Sequence, residues 1–191
     1  MKTTFLTLVL LFLTGCGEPQ TITQPDIPVQ QPADVTTPPV TPEQATAGFA
    51  GKVIKVVDGD TIDVLTDDME TIRIRFSGID TPERGQPFGN NATQMVKELV
   101  AGEIVRIVPQ GDDRYDRTVG DIYYDGTLIN LSLVKAGLAW HYVKYAPDDT
   151  ALREAEQQAR EMRSGLWGSS HGAIAPWDWR KMSKDERDEF R

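Results

Sequence analysis

With a single cysteine, Cys16, among its 191 residues, the chain cannot form an internal disulfide. Histidine is nearly as scarce. His141 and His171 are the only two, neither lies in a chemistry-bearing segment, and each is read as structural or solvated. Positive charge is also in deficit: 20 Lys and Arg stand against 29 Asp and Glu, a formal charge of -9. Between residues 49 and 168 the counts are 14 and 20, and between 169 and 191 they are 5 and 5, so no segment is a basic block. This excludes an anion-binding surface made from bulk field; any such site must be local and built from a few placed arginines. The longest apolar run, residues 5–13, is too short to span a bilayer. No internal repeat is visible.

What is present begins with an export signal. Lys2 supplies the positive start, residues 5–13 the apolar stretch, and small residues follow. Leu13-Thr14-Gly15-Cys16 resembles the bacterial lipobox, which implies cleavage after residue 15 and lipidation of Cys16. Each buried CH₂ of the acyl chains adds about 0.8 kcal/mol of membrane affinity. Residues 16–48 are rich in Pro, Thr and Gln and poor in large apolar residues, a composition that cannot offset its chain entropy. They are expected to act as a tether of roughly 30 Å or more. The expectation is an exported lipoprotein of a cell or outer membrane, facing the periplasm or the exterior.

The folded part is expected to start near Phe49. Strands are predicted over 49–57, 61–65, 71–76, 104–108 and 117–124. In 71–76, Ile72, Ile74 and Phe76 alternate with Arg73 and Arg75, so one face is dry and Arg75 lies on the wet one. Helices are predicted over 90–100, 128–136 and from 148 or 149 to 164. The last carries Leu152, Ala155, Ala159 and Met162 on one stripe. Five strands and three helices indicate an α+β, mainly β fold: a five-stranded OB-fold-like barrel with helices packed on it. A charged tail from 169 to 191 contains Pro176-Trp177-Asp178-Trp179-Arg180. Two near-adjacent tryptophans offer either base stacking or docking on the chain's own domain, and docking is the simpler reading.

Three segments concentrate reactive groups: Asp58-Gly59-Asp60-Thr61, Arg75 through Glu83, and Asp113-Arg114-Tyr115-Asp116-Arg117. Cleaving a phosphodiester requires neutralising the phosphate, aiming or deprotonating a water, and holding the charge of the five-coordinate state. Asp60 and Asp80 can share one hard cation, to which the Thr81 carbonyl can add an oxygen, as Ca²⁺ prefers. Glu83 can direct water. Arg75 and Arg117 can clamp phosphate, because guanidinium matches its geometry and stays charged. Taken singly, each segment reads as a turn, a cap or a solvated strand residue; their joint order and spacing do not.

Together these segments resemble the staphylococcal nuclease (thermonuclease) family across residues 49–168. Residues 128–140 and Ser164-Gly165-Leu166-Trp167 add support. The resemblance implies an OB-like barrel with three helices and a monomer that needs no protein partner. It also implies cleavage of DNA and RNA with one Ca²⁺ ion, leaving 3′-phosphate ends. By position Asp60, Asp80 and Thr81 correspond to the metal ligands, and Arg75, Glu83 and Arg117 to the catalytic residues. Tyr115 and Tyr145 correspond to aromatic positions near the nucleotide. The chain departs from the family pattern at Ser77 and Gly78, at Val143, where Tyr142 precedes a missing tyrosine, and in its acidic balance. The rival reading is a tethered, non-catalytic module that binds nucleic acid or protein. Such a module would be free to lose Asp60, Arg75, Glu83 or Arg117, and all four are present.

Overall fold

The computed structural model describes residues 48–170 and 172–190. The export signal, Cys16, the tether and His171 lie outside the described residues. Five strands carry the fold: β1 (Phe49–Val56), β2 (Thr61–Leu65), β3 (Thr71–Phe76), β5 (Ile104–Asp112) and β6 (Thr118–Tyr124). They run in the order β3-β2-β1-β5-β6, and parallel pairing of β3 with β6 closes the ring. The other contacts within this ring are antiparallel. The expected OB-type barrel is therefore present, with β7 (Thr127–Leu128) added at the edge of β6.

Alternation explains the barrel wall. Ile62, Val64, Ile74, Phe76, Ile107 and Ile122 point inward and are fully buried. Arg73 and Arg75, between the inward residues of β3, point out. Strand β5 runs past the predicted end at 108 to Asp112, through Pro109 and Gly111, where the register with β6 shifts. Proline and glycine read as stops, but on an exposed strand end a bulge accommodates both.

Three longer helices cover the barrel: α1 (Gly89–Val100), α2 (Ile129–Lys135) and α3 (Thr150–Glu161). Gly89, Ala92, Val96 and Val100 put one face of α1 in the core. Asp149 caps α3, accepting from the Leu152 N–H at 2.9 Å, a contact worth about 1 kcal/mol. Leu152, Ala155 and Ala159 are buried as the stripe predicts, but Met162 is 77 % exposed. Met162 is the C-cap and keeps helical backbone, but the chain turns at Arg163 into a left-handed conformation, and the last side chain of the stripe stands in solvent.

Two further features position the site. The two-residue strands β4 (Ile79–Asp80) and β8 (Trp140–His141) pair antiparallel, with Asp80 opposite Trp140. Beyond the 3-10 turn at Gly165–Gly168 the chain forms two short helices, α4 (Pro176–Trp179) and α5 (Lys184–Asp188). Trp179 is buried, Trp177 stacks on Tyr142 with centroids 5.1 Å apart, and the Gln86 amide donates to the Ile174 carbonyl at 2.7 Å. The tail is docked on its own domain. No described helix is long and apolar enough to cross a membrane.

Candidate active site

Backbone pairing brings the first two reactive segments together. The turn of residues 58–61 joins β1 to β2, and the Phe76 N–H donates to the Asp60 carbonyl at 2.8 Å. Arg75 lies directly across from Thr61 in the β2–β3 ladder, which sets its side chain beside Asp60. Gly59 is required by space: a Cβ there would lie 2.7 Å from Ala92 Cβ and 2.8 Å from Thr81 Oγ1. This close approach lets the Asp60 carboxylate reach Thr81. Both the N–H and the hydroxyl of Thr81 donate to Asp60 Oδ2 at 2.8 Å.

Arg75 bridges two carboxylates. Its Nη1 lies 3.1 Å from Asp60 Oδ2 and its Nη2 lies 2.9 Å from Asp80 Oδ1. Asp60 and Asp80 are both buried, and the Asp80 side chain is 1 % exposed. Burial pushes the Asp80 carboxyl up from its ordinary value, opposed by the Arg180 hydrogen bond; Asp60 pushes it up further and Arg75 pulls it down. Burial, followed by the neighbouring Asp60 charge, also raises Asp58, to about 6.

The third segment forms another wall of the same cleft, a space of about 1130 Å³. Arg117 donates from Nε to Asp113 Oδ2 at 2.7 Å, and its guanidinium lies 5.5 Å from the Tyr115 ring centre. Asp113 is held below its ordinary value: burial opposes the shift, and hydrogen bonds from Arg117 and Tyr115 outweigh it. Tyr115 and Tyr145 are 63 % and 68 % exposed, and both line the cleft. Asp60, Arg75, Asp80, Thr81, Glu83 and Arg117 therefore share one cavity. His141 does not belong to it; it is buried, with Nε2 2.7 Å from the Ala146 carbonyl oxygen.

Arg180 is the member that the sequence motifs did not reveal. Its Nη1 and Nη2 donate to the two oxygens of Asp80 at 3.0 and 2.9 Å, and its Nε donates to Glu83 Oε1 at 2.6 Å. Burial works against its charge, but Asp80 and then Glu83 outweigh that and hold the guanidinium above its usual range. The only signal for it was the aromatic cluster around it, which marked a docked tail without saying where.

The donor set fits a hard cation by type, because buried carboxylates from two segments both reach the Arg75 guanidinium, one at each terminal nitrogen. Among the described residues no three His, Cys, Asp or Glu stand together as a complete metal site. A cation here would draw its remaining oxygens from backbone or water.

Comparison with known proteins agrees with this geometry. The family model described as "Staphylococcal nuclease homologue" matches residues 73–169. The chain is 43 % identical over 151 residues to a protein of Shigella flexneri named "Micrococcal nuclease", covering 74 % of this chain and 86 % of that one. It is 42 % identical over 135 residues to an "Uncharacterized endonuclease" of Escherichia coli, covering 70 % and 86 %. A staphylococcal-like nuclease of Arabidopsis thaliana is 46 % identical over 113 residues, 59 % of this chain and 34 % of that longer protein.

Proposed function

Because the chain belongs to the staphylococcal nuclease family, we propose that it is a calcium-dependent endonuclease that hydrolyses phosphodiester bonds of DNA and RNA and leaves 3′-phosphate ends. One observation carries the reading: Arg75 joins the buried Asp60 and Asp80, and Glu83 and Arg117 line the same cleft.

Asp60, Asp80 and the Thr81 carbonyl are the residues that would hold the ion. Bound there, Ca²⁺ would neutralise phosphate charge and polarise its oxygens. The chain's own residues account for the rest. Arg75 and Arg117 bind phosphate oxygens and take up the charge that grows there in the transition state. Glu83 accepts a proton from the attacking water as the new P–O bond forms. The P–O5′ bond breaks, the electron pair leaves on the 5′ oxygen, and that oxygen takes up a proton. Tyr115 and Tyr145, exposed on the cleft, offer faces to the nucleotide.

The domain is net acidic, so long-range attraction adds little and capture rests on this small site. Export, lipidation at Cys16 and a tether over residues 16–48 belong to the same reading, supported by the composition and the lipobox-like segment. The nuclease domain spans residues 49–168, followed by the tail, and is proposed to act as a monomer.

Incubating the full chain with DNA and with RNA, in Ca²⁺ and again in excess EGTA, tests the proposal. Cleavage that stops on chelation, with product ends that a phosphatase can dephosphorylate at the 3′ side, is the expected result. Cleavage indifferent to EGTA removes the ion, and no cleavage of either polymer favours the non-catalytic module.

A further inference from the structure

The tail has no part in the reaction just described, yet it delivers a cation to the most buried carboxylate of the site. Arg180 lies 100 residues from Asp80 in sequence and grips both its oxygens; the same guanidinium takes Glu83 Oε1. Fork-to-carboxylate bonding of this kind is strong and geometrically specific. With Arg75 on Asp80 Oδ1 as well, both oxygens of a residue assigned to the metal are already engaged by guanidinium.

The delivery is anchored. Trp179, immediately before Arg180, is 3 % exposed and meets Phe190 edge-on. Arg187 donates from Nε to the Trp179 carbonyl at 3.0 Å and from Nη2 to the Arg180 carbonyl at 3.1 Å. Gln86 ties the tail to the catalytic loop, donating to the Ile174 carbonyl while its Oε1 accepts from the Glu83 N–H at 2.9 Å. The Arg180 side chain itself is 45 % exposed. A side-chain swing therefore frees the carboxylates without undocking Trp179, and the guanidinium stays tethered beside them at high effective concentration.

We propose that Arg180 is an internal competitor of the divalent cation: its guanidinium holds Asp80 and Glu83 in a closed arrangement, and Ca²⁺ must displace it to open the site. This inference rests on the reading of Asp80 as a cation ligand. A role in supporting the reaction in place fits the geometry less well. A guanidinium bonded to Glu83 occupies an oxygen that proton transfer needs, and one bonded to both Asp80 oxygens covers the lone pairs that a metal requires. Charge balance points the same way. The carboxylates Asp60, Asp80 and Glu83 are offset by Arg75 and Arg180. Without Arg180 these three carboxylates would keep Arg75 alone against them, a surplus of negative charge to which the neighbouring Asp58 adds.

The test is calorimetric titration of the full chain with CaCl₂ alone, without nucleic acid, comparing wild type, Arg180→Gln and Arg84→Gln. Arg84 lines the same cleft but bonds a backbone carbonyl, that of Val57, so it controls for simple loss of positive charge. Arg180→Gln is expected to bind Ca²⁺ about tenfold tighter, the scale of one charged hydrogen bond, against about twofold for Arg84→Gln. Arg180→Lys keeps the charge without the fork and should fall between them, which also guards against a glutamine variant that folds poorly.

Equal or weaker Ca²⁺ binding by Arg180→Gln overturns the competitor while leaving the cation site standing. Equal tightening in Arg84→Gln and Arg180→Gln reduces the effect to field alone and also overturns it. If none of the proteins binds Ca²⁺, the assignment of Asp80 as a ligand falls, and the competitor with it.

Discussion

Strands β2 and β3 carry two ion-pair groups on one face of their ladder, two rungs apart, and the two are built differently. On one rung Asp63 faces Arg73, and the pair is complete: Nε and Nη2 of one arginine meet the two oxygens of one carboxylate at 2.7 and 3.0 Å. Two residues along β3, Arg75 faces Thr61 and reaches past it to two buried carboxylates. The first group is matched one to one, with its arginine half exposed. The second is crowded with like charge, and it draws a further arginine from the far end of the chain. A matched pair has nothing left to offer a ligand. A surplus of buried carboxylates is costly without a cation, and that cost is what a binding site stores.

Substitution should separate the two groups most sharply in catalysis. Arg75→Ala or Glu83→Ala is expected to lower the cleavage rate by about 10²–10³, the scale of losing one group that stabilises transition-state charge. Arg73→Ala, on the same face of the same strand, should cleave close to the wild-type rate. Initial rates on a defined DNA substrate decide the matter, and a large loss in Arg73→Ala would erase the distinction.

Calcium should separate them next. A ligand that binds only the folded state stabilises it by about 2.7 kcal/mol at 100 times its dissociation constant. Thermal melts with Ca²⁺ and with EGTA should show that gain in the wild type and in Asp63→Asn. Asp80→Asn should lose it. Retention of the calcium shift in Asp80→Asn would place the ion elsewhere.

The two groups also differ in how far they could be read from sequence. Alternation in residues 71–76 put Arg73 and Arg75 on the wet face, and the structure keeps them there. The barrel was legible because period-two burial is a local property of each strand. Asp60, Arg75, Asp80 and Glu83 were legible because two short segments hold them at fixed spacing. Arg180 was not, because no spacing rule links it to Glu83, 97 residues away. The ladder of Ile79 with His141 and Asp80 with Trp140 was equally hidden, since a two-residue strand carries no period. Met162 failed for another reason: it keeps the helical backbone, but the chain turns at Arg163 and leaves its side chain in solvent.

The smallest expected effect concerns acid. The Arg73 hydrogen bond, against burial, holds the Asp63 carboxyl below its ordinary 3.8. A carboxyl depressed in the folded state binds fewer protons there than in the unfolded chain. Its stabilisation is therefore present above about pH 4 and drains away as the pH falls through the folded value. Because the Arg73 side chain is 49 % exposed, solvent screens the pair, and its worth is discounted to about 0.5 kcal/mol. Urea unfolding of the wild type and of Asp63→Asn should differ by that amount at pH 7 and converge near pH 2. A gap that persists unchanged into acid would mean that Asp63 contributes by packing, not by charge. The matched rung would then owe its stability to shape, leaving the site around Arg75 as the only part of this ladder governed by charge.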